Sequence, residues 1–164
     1  MKKTFSKAAS IYDAIKTINS KSGNEIINRL KEGQKPIAEL TDKRPDVHFH
    51  FQKLTKFGIV EVSKQRTKKI CRLNEERYLA LLKLEKNADD FWLISKSKNR
   101  QSIVKELFKS EIYKPEYITS TSLQLSLLVK AGLAERITDE KDLRRATWKR
   151  TEKLENLVTL IDTL

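Results

Sequence analysis

The chain has 164 residues, of which 38% are hydrophobic and 34% charged, a balance typical of one large or two small helix-rich soluble domains. Its net charge of +12 and its pI near 9.8 favour a polyanionic partner. No run of about 18 apolar residues occurs, so a membrane-spanning helix is not expected, and neither is a membrane as a partner.

Two features of the sequence predict a cytoplasmic location. The N-terminus carries basic residues without an apolar segment behind them, so it is not expected to be a signal peptide. The single cysteine cannot form an internal disulfide, which agrees with a reducing compartment.

The first forty residues predict three helices. Apolar residues recur at helical spacing over residues 8–18 and again over 25–31, where Asn24 is the expected N-cap and Gly33 ends the helix. Pro36 then opens a short helix through Leu40.

Residues 43–72 carry the clearest pattern in the chain. Val47, Phe51 and Leu54 form one apolar stripe of an amphipathic helix, with Pro45 in its first turn and Gly58 at its end. Residues 59–62 predict a strand and residues 70–73 its return strand. The loop expected between them contains no acidic residue and four cations, Lys64, Arg66, Lys68 and Lys69.

This segment resembles the recognition helix and following strand of ArsR-type winged-helix transcriptional repressors. The resemblance covers about the first half of the chain and rests on VHFHF at 47–51, Leu54, FGIV at 57–60 and the basic hairpin. It implies a winged-helix fold and a DNA-binding transcriptional regulator. One departure is that only seven positions separate Leu40 from Val47, with no glycine in the turn between the two helices.

The outward face of the predicted recognition helix supplies candidate DNA contacts. In a major groove, Arg44 can bind a guanine edge or a phosphate, Gln52 an adenine, and Phe49 a thymine methyl group. An exposed phenylalanine argues against a merely solvated face. The wing cations would neutralise phosphates, and Arg72 would join them if its strand face allows. The candidates on the helix are Arg44, His48, Phe49, Gln52, Lys53 and Lys56.

The order of elements repeats in the second half. Asn74 caps a helix to about residue 86, residues 87–90 interrupt the pattern, and residues 91–95 form an apolar cluster. Helices are then expected near residues 103–107, from Pro115, over 120–131 and after the N-cap Thr151, with strands at 133–137 and 146–149. Gly132 follows Gly58 by 74 positions, and Thr151 follows Asn74 by 77. The predicted fold is therefore mainly α with small β-hairpins, in tandem winged helix-turn-helix units at 1–87 and 88–164.

The second unit differs where DNA contact would occur. Its helix at 120–131 has no cation before Lys130, and its expected wing at 138–145 mixes Lys141, Arg144 and Arg145 with Asp139, Glu140 and Asp142. This favours a structural or dimerising module. The last helix carries an apolar stripe that needs a cover, either within the chain or in a homodimer through the second half; the stripe comprises Leu154, Leu157, Val158, Ile161 and Leu164.

The distribution of charge favours DNA binding by the first half. Residues 1–86 contain 20 Lys and Arg against 10 Asp and Glu, a net of +10, whereas residues 87–164 contain 14 against 12, a net of +2. A uniformly solvated surface would not predict this asymmetry. The leading hypothesis is a sequence-specific double-stranded DNA-binding regulator, in particular a repressor. The alternatives are a tandem winged-helix protein-interaction adaptor and a DNA-binding protein of replication or plasmid maintenance.

Neither an enzyme nor a metal or cofactor site is predicted. The sequence has no glycine-rich phosphate loop and no nucleophile motif. His48 and His50 are two positions apart and project from different helix faces, and Cys71 is expected to pack as a small apolar residue.

Overall fold

The computed structural model describes residues 1–116, 118–137 and 145–164, without the side chains of residues 118–120. The described chain is mainly helical with small antiparallel sheets, as predicted. It forms two compact units: the first unit is Ser10–Ala88, and the second unit combines Met1–Ala9 with Asp89–Leu164. No helix in the described ranges is both long and apolar enough to span a membrane. The division into winged-helix domains at 1–87 and 88–164 stays a prediction.

The first half contains five helices and three strands in its described residues. Helix α1 is continuous, and its first turns group with the second unit. The elements are α1 Lys2–Asn19, α2 Lys21–Lys31, β1 Lys35–Pro36, α3 Ile37–Thr41, α4 Pro45–Lys56, β2 Val60–Gln65, β3 Lys68–Leu73, α5 Glu75–Leu84 and a 3-10 turn Glu85–Asn87.

Helix α2 begins four residues before the predicted start at residue 25. Its N-cap is Ser20, whose Oγ accepts a hydrogen bond from the Gly23 N–H at 3.1 Å, so the prediction of Asn24 as the cap was wrong. The chain can turn this tightly because residue 23 is a glycine. A Cβ there would overlap the carbonyl oxygen of Thr17.

The wing is larger than the sequence predicted. Strand β2 extends to Gln65 and strand β3 begins at Lys68, which leaves a two-residue turn at Arg66 and Thr67. Arg66 takes a left-handed backbone conformation there, with φ of 56°. This polar run can form a ladder of backbone hydrogen bonds because no proline removes an N–H donor from it. Lys64, Lys68 and Lys69 therefore lie on strands, and the prediction of a long basic loop was wrong.

A third strand completes the sheet of the first unit in the order β1-β3-β2. In β1, Lys35 lies opposite Cys71 and Pro36 opposite Ile70. The sequence analysis missed this strand because two residues are too few to show alternation. Its proline is tolerated because β1 is an edge strand.

Helix α4 lies at the centre of the first unit. Its stripe of Val47, Phe51 and Leu54 is buried as predicted, and the helix packs against α2, α3 and β2. Gly58 ends the helix with φ of 71°. The Ile59 N–H then donates to the Leu54 carbonyl at 3.0 Å, which ties the start of the wing to the last turn of α4.

Two residues other than glycine make the turn between α3 and α4. Asp42 and Lys43 have φ of 45° and 56°, in the left-handed region. The Asp42 carboxylate accepts from Arg29 Nη1 at 3.1 Å, and the Arg44 N–H donates to the Thr41 carbonyl at 2.8 Å. These contacts hold a turn for which a glycine would be the ordinary choice.

The second unit has helices and a short hairpin. Its elements are α6 Ala88–Ser95, α7 Lys98–Lys109, α8 Ile118–Lys130, β4 Ala134–Arg136, β5 Trp148–Arg150 and α9 Glu152–Asp162. The short helix predicted from Pro115 was wrong, because residues 110–116 are not helical and Tyr113 exchanges backbone hydrogen bonds with Trp148 at 2.7 and 2.9 Å. Residues 138–144 of the expected second wing, including Asp139, Glu140, Lys141, Asp142 and Arg144, lie outside the described residues.

Most of the apolar stripe of α9 is covered within the chain, whereas Leu164 keeps 54% of its surface exposed. Leu154, Leu157 and Ile161 are buried, and Val158 is half-buried. The Thr4 Oγ1 donates to Asp162 Oδ1 at 2.8 Å beside the end of this helix. The buried part of the stripe needs no second copy of the chain, which weakens the main reason for predicting a homodimer.

The junction between helix, strand and next helix has the same hydrogen bonds in both halves. In the first, the Ile59 N–H donates to Leu54 O and the Asn74 N–H to Ile59 O, at 3.0 and 2.8 Å. In the second, the Leu133 N–H donates to Leu128 O and the Thr151 N–H to Leu133 O, at 2.9 and 3.3 Å. A cation from the following helix binds the end of the preceding one in each case: Arg77 Nη1 donates to Phe57 O at 3.1 Å, and Lys153 Nζ to Ala131 O at 2.7 Å.

The left-handed conformation of Lys43 gives a stability prediction. Lys43→Gly should raise the free energy of unfolding by up to about 1 kcal/mol, because the left-handed penalty of roughly 1–2 kcal/mol exceeds the ~0.5–1 kcal/mol entropic cost of glycine. Urea denaturation followed by circular dichroism measures this change. Lys43→Ala is the control, since alanine removes the same ammonium group but keeps Cβ. Equal stability of the two variants would contradict strain at Lys43.

Candidate nucleic-acid interface

One face of α4 is open to solvent along the whole helix. His48, Phe49, Gln52 and Lys56 are exposed and Lys53 is half-buried, all on the side opposite the buried stripe. Phe49 keeps 53% of its surface exposed, although it is a large apolar side chain. The structure therefore brings five of the six predicted helix residues together on one face.

Contacts within this face restrict its side chains. Lys53 Nζ lies 4.5 Å from the centre of the Phe49 ring, a cation–π distance, and the His50 ring meets Phe49 edge-on at 5.6 Å. Gln52 Nε2 lies 3.2 Å from His48 Nε2, one helical turn away. Because an amide nitrogen only donates, the neutral ring nitrogen of His48 accepts, and the Gln52 carbonyl oxygen stays available to an outside donor.

Arg44 differs from the other predicted readers because it already has a carboxylate partner. Its Nη2 lies 3.1 and 3.0 Å from the two carboxylate oxygens of Glu25 on α2. The hydrogen bond to Glu25 raises the pKa of Arg44 above its usual value, with smaller contributions from Asp46 and Asp42. The guanidinium is partly exposed, but it is engaged inside the helix-turn-helix rather than free on the α4 face.

The wing concentrates positive charge without internal compensation. Lys64 lies directly opposite Lys69, and Gln65 opposite Lys68, with Arg66 in the connecting turn. Like charges placed opposite each other on a sheet destabilise it, and a polyanion would remove that repulsion. Within the described part of the chain, no ion pair involves these four cations, Lys64, Arg66, Lys68 and Lys69.

Arg72 does not belong to the free cations of the wing. Its Nε donates to Glu61 Oε2 at 2.5 Å, and Glu61 also accepts from Asn74 Nδ2 at 2.9 Å. Glu61 is the acidic residue of the hairpin, and its carboxylate is bound by Arg72 and Asn74 at the base of the wing. The part of the hairpin beyond it carries only positive charge.

Sequence reasoning missed two residues of this region. Glu25 was assigned only to a helix, and nothing local signals its pairing with Arg44, because 19 positions separate them. Lys43 is exposed in the turn before α4 and adds a cation at the start of the helix. Its turn could have been suspected from the short spacing between α3 and α4.

His50 and Cys71, two of the three residues considered for metal binding, are a hydrogen-bonded and a buried side chain respectively. His50 Nδ1 lies 2.8 Å from the Asp46 carbonyl oxygen, to which it can donate, and Cys71 is fully buried in β3. Burial raises the pKa of the Cys71 thiol from 9.0 to about 11, so the thiolate that a metal would need is disfavoured at neutral pH. Among the described residues there is no group of three or more His, Cys, Asp or Glu side chains arranged to hold a metal.

Two solved structures show a distant likeness to this chain. One is the crystal structure of a possible transcriptional regulator for arsenical resistance: it is 20% identical with a TM-score of 0.40, and the match covers 57% of this chain and 94% of that one. The other, of an ArsR family transcriptional regulator, is 19% identical with a TM-score of 0.40, covering 53% of this chain and 91% of that one. No protein-family model and no curated protein matches the chain. At this distance a function has to rest on the chain's own contacts.

The buried thiol gives a prediction for chemical labelling. Cys71 in the folded protein should react with iodoacetamide at pH 8 far more slowly than in protein unfolded by guanidinium, as measured by mass spectrometry over time. Because the folded-state pKa is raised from 9.0 to about 11, the neutral thiol stabilises the fold fully below pH 9, and this contribution is lost as the pH rises through 11. Equal labelling rates of folded and unfolded protein at pH 8 would show that β3 does not bury the thiol.

Proposed function

We propose that this protein is a sequence-specific double-stranded DNA-binding transcriptional regulator, acting as a repressor and not as an enzyme. Helix α4 lies in the major groove, and the β2–β3 wing binds phosphates of the flanking backbone. The observation that carries the proposal is the wing: cations that have no carboxylate partner among the described residues lie on a hairpin joined through Gly58 to a helix with a largely exposed polar and aromatic face.

The α4 face has the groups that base recognition needs. The Gln52 amide can bind the adenine edge in a two-point contact, and His48 supports it through their mutual hydrogen bond. Phe49 offers an apolar surface to a thymine methyl group while Lys53 lies over its ring. Lys56, at the end of the helix, is suited to a phosphate rather than to a base.

The charges favour DNA over the adaptor alternative. A protein-binding adaptor would gain nothing from the facing lysines Lys64 and Lys69, which cost stability in the free protein. We prefer a role in transcription to one in replication or plasmid maintenance because the α4–wing segment resembles that of ArsR-type regulators.

We also infer that the second unit is a diverged winged helix without the DNA-reading role. The matching hydrogen bonds at the two helix–strand junctions support the common origin. On α8, Lys130 stands where α4 has Lys56, whereas Ser126 replaces Gln52. A homodimer through this half stays a prediction, now supported by exposed Leu123 and Val129 on α8 rather than by α9.

The wing assignment predicts a change in salt dependence. The double variant Lys64→Gln and Lys69→Gln should make the slope of log affinity against log salt shallower by about 0.9 for each phosphate that the variant no longer binds, and up to about 1.8 in total. Fluorescence anisotropy with a random duplex at several salt concentrations measures the slope. Affinity should fall alike on specific and random DNA, because phosphate contacts carry little sequence information.

The matched control removes the same two charges elsewhere in the first unit. Lys83 and Lys86 are exposed on α5 and the 3-10 turn after it. Replacing both with Gln should leave the slope close to that of the parent protein. A control slope that changes as much as the wing variant would mean that only net charge, and not the wing, matters.

The base-reading assignment predicts a loss of discrimination. Gln52→Ala should reduce the preference for the correct base pair by about 1–3 kcal/mol at one position of the site. Lys56→Ala should instead weaken binding to all duplexes alike. A preferred site would first be selected from a random DNA pool, and each variant then tested by competition against single-base changes. If Gln52→Ala ranks these duplexes as the parent does, Gln52 is not a base reader.

A further inference from the structure

A chain of ion pairs crosses the helix-turn-helix of the first unit. Arg44, immediately before α4, is bound by both carboxylate oxygens of Glu25 on α2. Glu25 lies 3.4 Å from Arg29 Nη2, and Arg29 Nη1 lies 3.1 Å from Asp42 in the turn. Arg29 also donates to the Glu39 carbonyl oxygen. Arg44 is thus the end of a network of which Arg29 is the centre.

The two ends of this network differ in what they hold. The contacts of Arg29 secure the left-handed turn at Asp42 and do not depend on Arg44. The Arg44–Glu25 pair is partly exposed, with 46% and 32% of the two side chains open to solvent. An exposed pair of this kind is weak and is easily exchanged for another anion. The turn can therefore persist when Arg44 changes partner.

Arg44 is placed where a DNA phosphate would compete with Glu25. It precedes the first turn of α4, beside the exposed Lys43, and its guanidinium has donors beyond the Nη2 atom that Glu25 uses. A phosphate binds a guanidinium through two parallel hydrogen bonds at least as well as a carboxylate does. The wing cations would hold the same DNA and raise the local concentration of phosphate.

We propose that Glu25 competes with DNA for Arg44, and that a backbone phosphate displaces Glu25 when α4 docks. This inference rests on the proposed function. Glu25 then lowers the affinity for any duplex, because each binding event must break the Arg44–Glu25 pair. Arg44 binds a phosphate only after it has left Glu25. It therefore adds affinity for the DNA backbone and does not recognise bases.

The test compares two single charge removals. Glu25→Gln frees Arg44, whereas Glu32→Gln removes the same charge from an exposed residue that forms no ion pair in the described chain. Each variant is titrated with a random duplex across a range of salt. Relative to Glu32→Gln, we expect Glu25→Gln to bind about two- to fivefold more tightly. Its slope against log salt should equal that of Glu32→Gln, because Arg44 binds a phosphate in both complexes, whereas Arg44→Ala should make the slope shallower by about 0.9.

The same titration in an Arg44→Ala background tests whether the effect of Glu25→Gln depends on Arg44. If the effect runs through Arg44, Glu25→Gln combined with Arg44→Ala should bind no better than Arg44→Ala alone. Thermal unfolding of each variant shows whether the turn is intact, and Arg29–Asp42 should keep it so. Equal affinity of Glu25→Gln and Glu32→Gln overturns the proposal, as does tighter binding that survives the loss of Arg44.

Two further outcomes separate this inference from the proposed function. If Arg44→Ala changes base discrimination but leaves the salt slope as in the parent, Arg44 binds a base edge, and the phosphate exchange is overturned while DNA binding stands. If the parent protein binds no duplex at any salt concentration, both the proposed function and the exchange are overturned.

Discussion

Burial of Val47, Phe51 and Leu54 sets the rotation of α4 about its axis, and the candidate interface depends on that rotation. With this stripe packed against α2, α3 and β2, the opposite face must carry Phe49, Gln52 and Lys56 to solvent. The hydrogen bond from Ile59 to Leu54 then fixes where the wing begins relative to the last turn of the helix. Without that packing, the exposed residues of α4 would not keep a constant position relative to the wing cations.

Charge in the first unit is divided between paired residues, in its helices, in the turn before α4 and at the base of the hairpin, and cations on the outer wing that have no ion-pair partner in the described chain. Acidic residues close to the framework are paired: Glu25 with Arg29 and Arg44, Asp42 with Arg29, and Glu61 with Arg72. The outer wing is left with Lys64 facing Lys69. This separation lets the ion pairs stabilise the turn and the base of the hairpin while the repulsion is confined to a projecting strand pair. Such a pair can tolerate the repulsion because Cys71 and Val60 anchor its inner end in the core.

The accuracy of the sequence-based expectations followed the range of the interactions involved. The limits and outward face of α4 were predictable because helical periodicity, Pro45 and Gly58 are local signals. The two-residue β1 and the non-helical segment at Pro115 were not, because each depends on backbone pairing with a distant strand. The strand ends of the wing pair locally, but their residues form a polar run without the alternation that marks a strand. The engagement of Arg44 was beyond reach for the same reason. Its partner lies on another helix, and sequence alone could say only that the residue is a cation near the helix start.

The two halves have matching hydrogen bonds at their helix–strand junctions but different exposed residues on α4 and α8. This difference limits how much about function can be inferred from a similar backbone. At the helix–strand junction, Arg77 and Lys153 bind equivalent carbonyl oxygens, and Gly58 and Gly132 take nearly the same left-handed conformation, with φ of 71° and 74°. Exposed Leu123 stands 74 positions after exposed Phe49, with 67% against 53% of the side chain open. Around Phe49 are His48, Gln52 and Lys53, whereas around Leu123 the corresponding residues are Ser122, Ser126 and Leu127. The same junction therefore supports a polar, cationic and aromatic face in one half, and an apolar, nearly uncharged face in the other. Binding chemistry follows the outward residues, which the packing of the framework leaves free to vary.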